Sequence, residues 1–118
     1  MIKEIKTKNQ HYFVDEHNII QGEYKSFQHN GKLMEHYFFI NDKRHGEYKS
    51  YYGNGQLFVH TFYQNGKKHG EYKQYRRNGE LSYTTFFYQG GDLHVDPNSL
   101  TEKDKVYIMM SGRLPPRD

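Results

Sequence analysis

The sequence predicts a mainly β protein, an open antiparallel meander of stacked 24-residue β-hairpin repeats followed by a short C-terminal helix. Three observations predict it. The phrase Gly-Glu-Tyr-Lys begins at Gly22, Gly46 and Gly70, at a constant interval of 24. Each copy is followed by Asn-Gly, at Asn30-Gly31, Asn54-Gly55 and Asn78-Gly79, a dipeptide that signals a tight hairpin turn. The apolar residues are mostly rings, twelve Tyr and eight Phe with only three Pro, which suits strands whose core carries polar tips. A period of roughly 20 to 50 residues marks a stacked array whose single unit cannot bury its own apolar face.

Residues 1–21 form an N-terminal segment in which His11 to Gln21 echoes His36 to His45, as a partial repeat would. Residues 22–93 hold the three full units. In the middle one the strands are expected from Gly46 to Gly53 and from Gln56 to Tyr63, around a type I′ turn in which Asn54 and Gly55 both take positive φ. A second turn lies between Gln64 and Gly70, so consecutive hairpins join into a meander of about six strands. In the third unit that second turn is degraded to Gln89–Pro97, as at the end of an array. Residues 94–118 change character: Ser99 and Glu102 stand in capping-box spacing, and Leu100, Val106, Tyr107 and Met110 recur at near-helical intervals before Gly112. This helix is expected to cap the last strand, whose open edge would otherwise invite a second copy into a homo-oligomer. The sharper reading is a helix that docks a partner.

If the turn is tight, pairing is fixed and the faces can be written out. One face carries Gly46, Tyr48, Leu57, Val59, Thr61 and Tyr63, and its recurring Gly, Tyr and Leu columns make it the packed spine. The other carries Glu47, Lys49, Tyr51, Phe58, His60 and Phe62, a mixture of rings and charges. Its aromatic columns, Phe27, Tyr51 and Tyr75 with Phe38, Phe62 and Phe86, are the candidate partner-binding residues, because a few rings supply most of the energy of an interface.

Several classes of function are disfavoured. Without cysteine there is no disulfide frame, thiolate metal site or Cys nucleophile. The N-terminus has no apolar run of the signal-peptide kind and no stretch approaches bilayer length, so a cytoplasmic protein is expected. Eight histidines invite a metal, but equivalent positions in successive hairpins stand roughly 9 to 10 Å apart, too far for His36 and His60, or His45 and His69, to share an ion. No metal or cofactor is expected. Ser26 and Ser50 lie on strands without an Asp-His context, and Glu23, Glu47 and Glu71 each have a lysine two residues on, which reads as a surface ion-pair ladder. A residue repeated three times serves the repeat, whereas catalysis needs one asymmetric constellation, so an enzyme is not expected. The formal charge of +3 lies entirely in residues 22–93. Lys43, Arg44, Lys67 and Lys68 occupy turns along one edge, with Arg76 and Arg77 on the opposite one. Interleaved with Tyr51, Tyr75 and Phe62, they are the basis of an alternative reading, a scaffold for nucleic acid or anionic lipid.

The run YQNGKKHGEYKQYRRNGEL, Tyr63 to Leu81, resembles the variant MORN (membrane occupation and recognition nexus) repeat, and the resemblance covers Gly22 to Leu93. It implies a curled array of antiparallel hairpins used as a scaffold or binding surface, with lipid binding suggested for eukaryotic relatives. Such arrays are common in bacteria and large DNA viruses, and some bacterial examples are catalogued as antitoxin components. The function expected from this resemblance is a non-enzymatic protein-binding module, a stoichiometric inhibitor or antitoxin-like binder. A viral or mobile-element protein acting on a host enzyme, in the host cytoplasm, would suit the same description.

Overall fold

A computed structural model describes residues 1–116; Arg117 and Asp118, at the end of the 94–118 tail, lie outside the described residues. The strands are β1 (Lys3–Lys6), β2 (Gln10–Val14), β3 (Gly22–Phe27), β4 (Leu33–Ile40), β5 (Lys43–Arg44), β6 (Gly46–Tyr51), β7 (Leu57–Gln64), β8 (Lys67–Lys68), β9 (Gly70–Tyr75), β10 (Leu81–Tyr88) and β11 (Gly91–Asp92). A 3₁₀ turn at Pro97–Ser99 and the helix α1 (Glu102–Ser111) follow. All the strands belong to one antiparallel sheet in the order β1-β2-β3-β4-β6-β7-β9-β10-β11, with β5 on β4 and β8 on β7. The result is an open antiparallel meander of hairpin repeats measuring 55 × 37 × 18 Å. The six strands expected are β3, β4, β6, β7, β9 and β10; residues 1–21 add a hairpin of their own, β1 with β2, and the two-residue strands β5, β8 and β11 add short extensions.

The tight turns fall on the edge opposite to the one expected. At Asn54-Gly55 only the glycine has positive φ, +89°, and the same holds at Gly31 and Gly79. The hydrogen bonds Gly55 N–H to Tyr52 O and Tyr52 N–H to Gln56 O, 2.9 and 2.8 Å, close a three-residue loop, the type I turn followed by a left-handed glycine. The Asn54 carboxamide oxygen accepts from the Gln56 N–H at 2.9 Å. Type I′ geometry belongs instead to Asn41-Asp42, Asn65-Gly66 and Gln89-Gly90, where both φ values are positive. The extra residue of this loop is taken up by a bulge between Ser50 and Tyr51, opposite Val59 and Leu57, and the other two units carry bulges at Ser26/Phe27 and Leu81/Tyr83. Beyond the bulge the register is the one a two-residue loop would give, Ser50 facing Val59 and Gly46 facing Tyr63. Two displacements of one residue cancel, and so the faces from Glu47 to Ser50 fall as expected; a Cβ on Gly70, the equivalent of Gly46, would instead point to Phe62 on the second face. Near the bulge they do not: Phe58 leaves the row of His60 and Phe62 and packs on Tyr52, ring centroids 4.7 Å apart.

Successive units are stitched at the tight-turn edge. Asp42, Gly66 and Gly90, equivalent at intervals of 24, donate their N–H groups to Ile20, Arg44 and Lys68 carbonyls at 2.8–3.0 Å. On the opposite edge Gln28 Nε2 donates to Tyr52 O at 3.2 Å and Tyr52 Oη to Tyr75 O at 2.7 Å.

The first face is a ladder of rings. Tyr12, Tyr24, Tyr37 and Tyr48 stack in sequence at centroid distances of 5.4, 4.8 and 5.3 Å, and Tyr63 meets Tyr48 edge-on at 5.5 Å. Between the rings lie buried small polar groups, Ser26, Ser50, Thr61 and Thr85, with Tyr37 and Val59. The leucine column is less enclosed than expected, Leu81 being exposed. Tyr48 donates to Glu35 Oε2 at 2.5 Å; burial, and then that hydrogen bond to a carboxylate, push its phenol well above the ordinary tyrosine value.

The helix starts two residues later than the Ser99–Glu102 box implied. Asp96 caps the 3₁₀ turn, with Ser99 Oγ donating to Asp96 O at 2.6 Å. Leu100 is extended, and Thr101 then becomes the N-cap of α1 in a box closed with Asp104. Gly112, φ +74°, ends the helix. Its inward face also differs: Ile108 is buried, while Val106, Tyr107 and Met110 are exposed, and Leu100 is buried from the extended segment before the helix. The helix lies on the second face of the third unit rather than along the sheet edge, where Ile108 and Leu100 join Phe86 in a core bordered by Tyr88, Leu93 and Val95.

Candidate functional site: the glutamate and phenylalanine face

The second face is built from one side-chain triplet repeated along the array. In the first unit Glu23 on β3 faces Phe38 on β4, with Lys25 facing His36; the middle unit repeats this with Glu47, Phe62, Lys49 and His60. His36 Nε2 stands 2.9 Å from Glu23 Oε2, and His60 Nε2 stands 2.8 Å from Glu47 Oε2. Each imidazole leans on the phenylalanine two residues on, at centroid distances of 5.2 and 5.4 Å. The N-terminal hairpin carries a third copy: His11 Nε2 lies 2.6 Å from Glu4 Oε2 and its ring 5.4 Å from that of Phe13. The echo of His36 to His45 in His11 to Gln21 marked a partial repeat in the sequence, but not the strand β1 whose Glu4 completes this copy.

The partner of each glutamate is therefore the cross-strand histidine first and the lysine second. Lys25 and Lys49 reach Glu23 and Glu47 only at 3.8 and 3.9 Å. The hydrogen bond with His36, helped by Lys25 and opposed by partial burial, holds the Glu23 carboxyl below its ordinary value; His60 does the same for Glu47.

The third unit breaks the pattern. Thr84 stands where His36 and His60 stand in the others, and Thr84 Oγ1 donates to Tyr72 O at 3.0 Å. Glu71, released from a histidine partner, meets Lys105 of α1 with Oε1 2.7 Å from Nζ. That contact raises the Lys105 ammonium above its ordinary value. Phe86 is 2% exposed beneath the helix, whereas Phe62 in the next unit is 37% exposed. Phe86 is thus withdrawn from the surface expected for it, covered by the chain itself. Phe38 is half-buried and stays uncovered by α1, and Phe27, Tyr51 and Tyr75, near the wide-turn edge, are also half-buried. The six rings do not form one continuous patch; the open part is centred on Phe38 and Phe62.

The basic turns are largely committed to the first face. The Arg44 guanidinium lies 4.7, 5.6 and 5.5 Å from the ring centres of Tyr37, Tyr48 and Tyr63. Lys68 lies over Tyr72 and Phe87, and Arg77 over Tyr52. Arg76 pairs with Glu80 at 3.6 Å. Lys43 and Lys67 remain exposed at the edge. Among the described residues no group of three His, Asp or Glu side chains is arranged to hold a metal ion, and no helix is long and apolar enough to cross a membrane.

Fold and faces together define a class: an open array of antiparallel hairpins whose units repeat side-chain columns across both faces. The chain belongs to the MORN repeat variant family, whose model matches residues 20–41, 44–65 and 68–89, more than half of its length. These matches keep the interval of 24 residues read from the Gly-Glu-Tyr-Lys phrases. No curated protein matches the chain. Two solved structures are similar to it at 17% identity and a TM-score of 0.40, one of TarM and one of a point mutant of S. aureus TarM in complex with fondaparinux, alpha-GlcNAc-glycerol and UDP. The alignments cover 77% and 78% of this chain but 20% and 21% of theirs, so the chain spans about a fifth of the proteins it matches.

Proposed function

We propose that the chain is a non-enzymatic protein-binding module, a stoichiometric binder of the inhibitor or antitoxin type, that holds another protein on its glutamate and phenylalanine face. One observation carries this reading: the third unit already holds a polypeptide segment on that face, through Phe86 and Glu71, while the matching columns of the other full units lie open. The first face is less suited to the task, because its rings stack on one another and are overlaid by Arg44 and Lys68. The same overlay weighs against a nucleic-acid or lipid scaffold, since it withdraws basic groups from the edge.

Affinity capture from the native cell, comparing wild type with Phe38→Ala and Phe62→Ala, tests the proposal. A specific protein partner should survive moderate salt and lose about 1 to 3 kcal/mol of affinity with each substitution, the usual range for interface rings. Retention that ignores both substitutions, but collapses with salt and with Lys67→Glu, would replace this reading with the polyanion one.

A further inference from the structure

The way α1 sits on the third unit specifies what the middle unit is built to take. We infer that the surface between Phe62 and α1 docks a partner α-helix that carries a basic residue three positions before an aliphatic one, in the manner of Lys105 and Ile108, and that this helix lies beside α1. The inference rests on the protein-binding reading and gives it a partner chemistry.

Three features converge. The first is equivalence of the floor: Glu47 and Phe62 hold the same repeat positions as Glu71 and Phe86, which receive Lys105 and share a core with Ile108. The second is spacing. Equivalent positions in neighbouring units are two strands apart, roughly 9 to 10 Å, and packed helices lie about 8 to 10 Å apart axis to axis. A helix centred over the middle unit would therefore be in packing contact with α1. The third is the wall that α1 presents. At 100° per residue, turning from Ile108 past Lys105 leads to Met109 and then Val106, which are 40% and 57% exposed. Met109 marks the side nearer the middle unit, because a Cβ built on Gly70 would lie 3.8 Å from Phe62 Cβ and 4.0 Å from Met109 Cε. An apolar floor and an apolar wall thus meet at Gly70, an arrangement suited to a helix with a broad apolar stripe.

Charge sets the polarity of the guest. Glu47 gives Oε2 to His60, while Oε1 stands 3.9 Å from Lys49 Nζ, beyond hydrogen-bond reach. In the third unit the equivalent glutamate, Glu71, gives one carboxylate oxygen to Lys105 Nζ at 2.7 Å. An incoming ammonium would find the same acceptor, with His60 orienting the carboxylate as Thr84 in the third unit does not.

The test uses the full chain, ¹⁵N-labelled, and as probe a peptide of residues 97–116 held helical by a lactam between Lys103 and a Tyr107→Glu substitution, positions that point away from Ile108. Titration should shift the amides of His60, Phe62, Val106 and Met109 saturably, leaving Phe86 and Ile108 in place. Glu47→Lys in the chain, or Lys105→Glu in the peptide alone, should each weaken binding about fivefold, and the two reversals together should restore it. Phe62→Ala should weaken it about tenfold or more. The peptide variant needs no refolding of the chain, so its result stands whatever Glu47→Lys does to stability. Absence of saturation at millimolar peptide would overturn the inference. So would shifts confined to Phe86 and Ile108, which would mean that the peptide merely replaces α1, or affinity indifferent to both charge reversals. If the peptide fails while capture of a native partner still depends on Phe38 and Phe62, the helix inference falls and the protein-binding reading stands.

Discussion

Replacing Ile108 by Ala probes the contact from which the function is argued. Ile108 is fully buried, and among the described residues its core has Phe86 and Leu100 as the other buried members. Removing its outer carbons from a closed core would cost about 2 to 5 kcal/mol. Here the lower end applies, because the core lies under a single helix that can settle into the gap. In an array, moreover, each element is held only by its neighbours, so the loss cannot exceed what docking of α1 contributes; past that point the helix detaches and the sheet remains. The expected result is about 2 to 3 kcal/mol, seen first as accelerated amide exchange through Glu102–Ser111 and then as a fall in melting temperature of about 6 to 15 °C if helix and sheet melt together. Val106→Ala is the control: Val106 is 57% exposed, and Ala is the better helix former, so no destabilisation is expected. Equal effects of the two substitutions, both within about 0.5 kcal/mol of wild type, would refute the docking of α1 on Phe86 and with it the template for a partner.

Two further outcomes follow from the turns and the glutamates. Gly55→Val should destabilise by about 1 to 2 kcal/mol more than Gly53→Val, because Gly55 sits at φ +89° whereas a Cβ on Gly53 meets only Gln28 Oε1 at 3.5 Å; equal denaturant midpoints would place the loop elsewhere. The carboxyls of Glu23 and Glu47 lie below the ordinary 4.5, so the stability they contribute is present above that value and is lost as pH falls through their lower folded values. Between pH 6 and 3 the wild type should therefore lose more melting temperature than a Glu23→Gln, Glu47→Gln double variant, by a modest margin because both groups are substantially exposed. Parallel losses would show that the histidine pairs contribute nothing to folding.

The period, the hairpins and most of the two faces were legible because the repeat is printed in the chain and side-chain direction alternates strictly along a strand. Two of the features that escaped reading share one cause, a local motif that occurs twice. Asn54-Gly55 and Asn65-Gly66 are the same dipeptide, yet only the second adopts type I′ geometry; the first is widened to three residues, and the bulge that absorbs the extra residue has no mark in the sequence. Ser99 with Glu102 and Thr101 with Asp104 both read as capping boxes, and the choice fell to the second because Asp96 and Pro97 commit the first turn to a 3₁₀ geometry. The run Val106-Tyr107-Ile108-Met109-Met110 is apolar at every position, so periodicity could not select Ile108 as the residue that turns inward. The site suffered similarly: each glutamate has a lysine two residues along the strand and a histidine across it, and the nearer partner is the one that only strand pairing reveals.

A perfectly periodic array would offer the same surface at every unit and give a partner no register to choose. On the second face this chain breaks its own symmetry in the third unit. Thr84 replaces the histidine that His36 and His60 supply, and Glu71 turns to Lys105 as the helix folds back over Phe86. Because the third unit is covered, the open face has a defined end, with a wall of Met109 and Val106 on one side and uncovered glutamate, histidine and phenylalanine columns on the other. The first face has no equivalent boundary, since its tyrosines run across the sheet from Tyr12 to Tyr63 and Arg44 is laid over them. In a body only 18 Å thick, where both faces meet solvent, this difference separates a face that holds the sheet together from one that can hold something else. A partner helix of the proposed kind, reading Glu47 and Phe62, would also meet α1, so the third unit's departure from the repeat would fix both the place of docking and its chemistry.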